Sequence, residues 1–271
     1  MKTISRLLSC RERKNILSIK KKWLFVAAAM FSLSLSSSIA SAGVDLAALC
    51  QAAKIKAAGK RVQCLALERA KTQLGRAADP GKCEADFDNA LAKADAAAAA
   101  KGAACRYLDN GEGTISDLDT LLQWEKKDAS GGIHDQDALY TWSSRQRGSF
   151  DGTAITVLVQ GLNFNCQTAL STDGTIIKRG FVDQCDWRLP SVVELATLVD
   201  LNAPGCGSGS PCIDAVFNNG TDSFTQPAAY WSSSSHATSS LPAWLVNFNS
   251  GVGGFANKVV PLYVRVVRGG R

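Results

Sequence analysis

Cysteine constrains this chain more than any other residue type: nine occur in 271 residues, eight of them between Cys50 and Cys212. An even set in an exported protein reads as disulfides. The N-terminus gives the export signal. Lys2 to Lys22 is basic, Leu24 to Leu35 is apolar, and Ala40-Ser41-Ala42 offers a small-x-small cleavage site. Residues 1–42 therefore read as a signal peptide, and Cys10 leaves with it. The apolar run of about 12 residues is too short to span a bilayer, so no transmembrane segment is expected after cleavage. Leu49 before Cys50 is too large for a lipid-attachment site.

Charge shifts once that segment is set aside. Residues 1–42 carry +7 and the whole chain +6, so the remainder carries −1. The basicity belongs to the signal, which removes the case for a nucleic-acid partner. No Cys-x-x-Cys occurs and only His134 and His236 are present, so no metal and no cofactor is expected.

Residues 43–105 are rich in Ala and Lys and poor in β-branched residues, a helical composition, and Asp79-Pro80-Gly81 breaks them in two. Cys50 and Cys64 are separated by about 21 Å along one helix, far beyond the roughly 7 Å that a bridge tolerates. Cys83 and Cys105 are similarly separated. An antiparallel hairpin pairs Cys64 with Cys83 and Cys50 with Cys105; the parallel pairing needs a longer return than the break supplies. Val62, Leu65, Leu67, Leu74, Phe87 and Leu91 are the side chains available for burial. A unit this small needs its staples.

From Arg106 the composition turns to Gly, Ser, Thr, Asn and Trp. Asp109-Asn110-Gly111-Glu112-Gly113-Thr114 reads as a turn with two glycines at positive φ, since the later acidic ligands of a calcium loop are missing. Strands come next, at Thr114-Ile115-Ser116 and Leu121–Glu125. His134, beside Asp135 and Asp137, reads as an exposed loop histidine rather than a metal corner or dyad. In Cys185-Asp186-Trp187-Arg188-Leu189-Pro190, Pro190 stops the preceding element, Ser191 and Glu194 stand at capping-box spacing, and Leu195, Leu198 and Val199 share a helical face. Trp187, Arg188 and Pro190 are expected to serve the fold. Further on, Ala229–Ser233 reads as a strand leading into a polar loop, Ser232–Ser240. Trp244–Asn249 is a half-buried strand, Ser250–Gly254 a turn, and Lys258–Val267 the closing strands.

Six of these stretches stand in a fixed order: Asp109–Thr114, Leu122–Lys127, Asp186–Leu195, Tyr230–Ser233, Ala243–Phe248 and Tyr263–Arg268. The series resembles the Lcl C-terminal domain, a bacterial family of unknown function, over residues 106–268. The resemblance implies a C-type-lectin-like fold, related to the formylglycine-generating-enzyme domain, in which the two ends of the domain pair. It also favours a helix over Thr153–Asn163. Leu121 stands where the family commonly has Gly, which implies an altered turn. With Cys166 just past that helix and Cys185 just before the Trp-Arg-Leu-Pro turn, the pairs expected are Cys166–Cys185 and Cys206–Cys212. The crossed pairing, Cys166–Cys212 with Cys185–Cys206, stays open. The fold class is α+β: a signal peptide (1–42), a stapled antiparallel helical hairpin (43–105) and a C-type-lectin-like domain (106–271).

No catalytic constellation is legible, and the chain is not expected to be an enzyme. The reactive cysteine pair of the formylglycine-generating relatives lies near their chain end, whereas here no cysteine follows Cys212. No Gly-x-Ser-x-Gly elbow occurs. Gln226-Pro227-Ala228 lacks the acid of a calcium-bridged sugar site. The expectation is an exported recognition or adhesion module whose partner is a polysaccharide or a surface protein. Candidate ligand-binding residues are Ser233, Ser235, His236, Asn247, Asn249 and Asn257, with Trp231 or Trp244 available to stack on a sugar face; both tryptophans otherwise read as core. The alternatives are a structural envelope protein with no small-ligand site, or a variable protein of a diversity-generating retroelement.

Overall fold

The computed structural model describes residues 45–146, 148–164, 166, 169–170, 176–177 and 180–270. The signal-peptide reading (1–42) lies outside the described residues. Residues Asp45–Arg271 cluster as one compact unit.

Two helices open the unit, α1 (Leu46–Gln73) and α2 (Pro80–Ala99). Asp45 caps α1 by accepting from the amides of Ala47 and Ala48, and Asp79 caps α2 by accepting from that of Lys82, with Pro80 in the first turn. They form the expected antiparallel hairpin, with Cα–Cα distances of 5.9 Å at Cys50–Cys105 and 5.7 Å at Cys64–Cys83. Its interior differs from the sequence expectation. Phe87 and Leu91 are buried, but Val62, Leu67 and Leu74 are exposed. The inward row of α1 runs through Cys50, Lys54, Ala57, Arg61 and Cys64, a four–three spacing set by the two bridges. Val62 and Leu67 fall off that row, and alanine and charge fill it instead. Arg61 lies over the Phe87 ring and donates to both carboxylate oxygens of Glu84 through Nε and Nη2 at 2.8 and 2.7 Å.

That charge also seats the hairpin on the C-terminal domain. Lys54, buried with its side chain fully covered, places Nζ 2.6 Å from Asp95 on α2 and 2.5 Å from Asp119 in that domain. Gln51 donates to the Tyr107 carbonyl at 2.8 Å. Leu121 packs against Ala57, Phe87 and Leu91. Leu121, where the resemblance implied an altered turn, sits at φ 61°, the left-handed region that favours glycine. A left-handed leucine costs about 1–2 kcal/mol, which packing on the hairpin offsets.

The domain itself is α+β. Strands β1 (Tyr107–Asp109), β2 (Thr114–Asp117), β3 (Leu122–Glu125) and β9 (Val267–Gly269) form one antiparallel sheet in the order β1-β2-β3-β9. Gly111 (φ 74°) and Gly113 (φ 86°) make the turn between β1 and β2 as expected. The ends of the domain pair through Trp124↔Val267. Within the expected Thr153–Asn163, Ala154–Leu162 is helical, with a wide π-helical turn at Ala154–Val159 running into α3 (Gln160–Leu162). Strands β4 (Ala169–Leu170) and β5 (Ile176–Ile177) pair between Cys166 and Cys185. The disulfides are Cys166–Cys185 and Cys206–Cys212, and the crossed pairing is excluded.

Helix α4 (Val192–Ala196) has the full capping box: Ser191 Oγ accepts from the Glu194 amide and Glu194 accepts from that of Ser191. Arg188 grips the same Glu194 at 2.9 and 2.6 Å. Trp187 is buried, donating to the Phe181 carbonyl at 3.0 Å.

The second sheet, β6 (Ala229–Ser235), β7 (Pro242–Asn247) and β8 (Val252–Asn257), differs from the expected loops in two places. Ser232–Ser235 belong to a strand, carried past a bulge that restores pairing at Ser235↔Ala243. Gly253 and Gly254 also lie in a strand, since Leu245↔Gly254 and Val246↔Gly253 are paired. The turn is Phe248–Gly251. The domain has one apolar core around Trp142, Trp187 and Trp231 and another around Trp124, Phe217, Tyr230 and Phe248.

Replacing Lys54 with Met should lower stability by about 1–3 kcal/mol, the range for hydrogen bonds to charged groups. Hydrogen exchange should quicken in α1 and α2 while β6–β8 stay protected. Arg188 holds the Glu194 carboxyl down to about 2, from an ordinary 4.5. Stability from this pair is present above the ordinary value and lost as pH falls toward 2. The acid unfolding curve of Glu194→Gln should therefore be flatter than the parent's across that window.

Candidate functional site

Alternate residues of β7 point to opposite faces of the sheet. Ala243 and Leu245 enter the first core, and Val246 enters the second. Trp244 belongs to neither core and remains partly exposed, whereas Trp124, Trp142, Trp187 and Trp231 are at most 4% exposed. Register places Phe255 of β8 directly opposite Trp244, and Phe255 is 60% exposed. The Pro242 carbonyl, accepting from the His236 amide, brings His236 over the same end of the sheet. The three rings then meet: His236 stacks on Trp244 at 5.7 Å and 19°, Phe255 stands edge-on to Trp244 at 5.9 Å and to His236 at 5.3 Å. Thr238 Oγ1 lies 3.3 Å from His236 Nδ1. An aromatic platform thus stands on the surface with polar groups at its rim.

The six candidates from the sequence divide over this sheet. His236 is part of the platform. Asn257, paired with Pro242, and Ser235, paired with Ala243, lie at its margin. Asn257 Oδ1 also accepts from the Val259 amide at 3.4 Å. Asn247 and Asn249 sit at the far end of β7, where Asn247 Oδ1 accepts from the Asn249 amide at 2.8 Å and shapes the turn. Ser233 is turned toward the scaffold: its amide and Oγ both donate to the Pro190 carbonyl, at 2.7 and 3.1 Å. The two tryptophans also separate. Trp231 is fully buried, donating to the Tyr140 and Val260 carbonyls; only Trp244 reaches the surface. Phe255 was missed because the glycines before it read as a turn. The signal was the spacing of Phe255 and Asn257, alternate positions of a strand.

A hollow of about 220 Å³ is lined by Gly111, Gly113, Lys126, Asp128, His134, Phe181 and Asp222. Its charges face one another. Lys126 lies 2.6 Å from Asp109 and 2.7 Å from Asp222. His134 is not the exposed loop histidine expected: Nδ1 lies 2.8 Å from Glu125 Oε1, and the ring packs 4.3 Å from Phe181. Glu125 is fully buried, with Lys127 Nζ 2.9 Å from the same oxygen. Burial pushes the Glu125 carboxyl up, but Lys127 and His134 outweigh it and hold it below the ordinary range. Asp135 and Asp137 are engaged by the Gly131 amide and Gln226 Nε2. This cluster cross-links the loop to the sheet, and its carboxylates converge on side chains and amides of the protein.

Among the described residues no helix is long and apolar enough to cross a membrane. Four disulfides fit an oxidising, exported environment. No curated protein and no solved structure matches the chain, so the comparison with C-type lectins stands on the family resemblance. The profile of the Lcl C-terminal domain matches residues 113–268, more than half of the chain, and the protein belongs to that family.

Proposed function

We propose that this is an exported recognition module, not an enzyme, whose ligand rests on the platform of His236, Trp244 and Phe255. The observation that carries the reading is Trp244, a large ring held at the surface by strand pairing on both sides while the other described tryptophans fill cores. Aromatic side chains that contribute nothing to a core, clustered on a rigid sheet and rimmed by hydroxyls and amides, are the composition of a binding surface. The partner is a polysaccharide or a surface protein. Pairing of β7 on both sides fixes the backbone under the platform, which lowers the entropy cost of binding.

A second reading, a structural envelope protein, draws on the hairpin. Lys54 and Leu121 lock it to the domain, so it would set a fixed distance between that domain and whatever holds the N-terminus.

Binding of the full chain to fractionated bacterial polysaccharide and surface protein, with variants alongside, tests the reading. The double variant Trp244→Ala, Phe255→Ser should lose binding by at least about tenfold, which is about 1.4 kcal/mol. Its melting temperature should stay near the parent's, since exposed substitutions usually stay within about 0.5 kcal/mol and only Trp244 is partly covered. Unchanged binding by this variant, with loss on Asn249→Ala, would move the site to the β7–β8 turn. Binding that instead followed Lys54→Met would favour the structural reading.

A further inference from the structure

The platform stands in a part of the chain without charge. Charged residues make up 20% of the sequence, yet none occurs from Ser223 to Asn257, a stretch that includes β6, β7, β8 and the loops that join them. The next charged residue, Lys258, is turned inward: it is 4% exposed, and its Nζ lies 4.2 Å from the centre of the Trp142 ring. Asp222, at the other end, is held by Lys126 and Asn219. We infer that the ligand of the platform is an uncharged polysaccharide, one that lays the C–H face of a pyranose on the rings and its hydroxyls against the rim. This rests on the reading of the platform as a binding site.

Charge complementarity selects the ligand class. A site for sulfated, phosphorylated or uronic-acid chains presents Arg or Lys, because each desolvated anion needs a cation or several amides. A site for polycations presents carboxylates. This sheet offers neither. What it does offer are groups that donate and accept without charge: Ser235, Thr238, Ser239 and Asn257, together with His236. Such groups match hydroxyls, which also donate and accept, and the aromatic faces match the apolar side of a sugar ring. The sheet also offers the edge of β8, which no described strand pairs, so strand addition by an extended polypeptide is the outcome to be separated from it.

The full chain is titrated by affinity electrophoresis with neutral glucan, mannan, galactan and xylan, with their carboxylated or sulfated counterparts, and with a carboxamidomethylated unfolded polypeptide. In parallel, oxidation of Trp244 by N-bromosuccinimide is followed by peptide mass spectrometry. At least one neutral polymer should bind and protect Trp244, while the charged form of the same backbone binds more weakly. The affinity should change by no more than about twofold between about 0.02 and about 0.5 M salt, because no ion pair is screened. Trp244→Ala should weaken it at least about tenfold. Binding only to the charged polymers, or to the polypeptide, with Trp244 protected overturns the ligand class and keeps the platform. If no probe binds through the platform and Trp244 is oxidised at the same rate throughout, both readings fall.

Discussion

The domain closes at one seam, and the rest of its architecture depends on it. Val266 and Val267, near the C-terminus, are held from two sides. The Val266 carbonyl accepts from the Glu125 amide and its own amide donates to Glu125 Oε2. One residue on, Val267 exchanges two backbone bonds with Arg188 at 2.9 Å each. The last strand is therefore pinned between β3 and the Trp-Arg-Leu-Pro segment. Arg265, fully buried, reinforces the seam by donating to the Glu125 carbonyl at 2.6 Å and to the Phe224 carbonyl and Thr225 Oγ1. Burying an arginine is expensive unless its donors are satisfied; Nη1 and Nη2 find acceptors on two distant segments, while the buried Nε has none among the described residues. The same residue thereby fixes where Phe224 and Thr225 lie, just before β6 begins.

What could be read from the sequence depends on the range of the interactions concerned. Disulfide pairing in the hairpin was legible because helix rise and bridge reach leave one antiparallel solution. The capping box at Ser191 and Glu194 and the glycine turn after Asp109 were legible because they are local. The Cys166–Cys185 and Cys206–Cys212 pairs needed the fold to decide them.

Less was legible where a local preference yields to packing. Val62, Leu67 and Leu74 looked like core because they are apolar, but the cysteines fix which face of α1 points inward, and Lys54 occupies it with two carboxylates to receive its charge. At Leu121 an altered turn was expected; its backbone takes the left-handed conformation, and its side chain joins the hairpin cluster. Gly253 and Gly254 looked like a turn and pair as a strand. They stand opposite Val246 and Leu245 of β7. His134 looked exposed because its partner, Glu125, lies on another element.

The candidate site is a consequence of the same economy of packing. Both faces of the second sheet are used: the first core takes Ala243 and Leu245, the second takes Val246, and α4 packs against β6 and β7. That helix has only five residues, Val192–Ala196. Arg188 and Glu194 tie down its start, while Ser233 and Ser234 bond to Pro190 and Val192 from the strand beneath. Beside it the rings of His236, Trp244 and Phe255 pack on one another, and Phe255 is 60% exposed. Strand pairing on both sides positions Trp244, and no charged residue occurs in the strands around it.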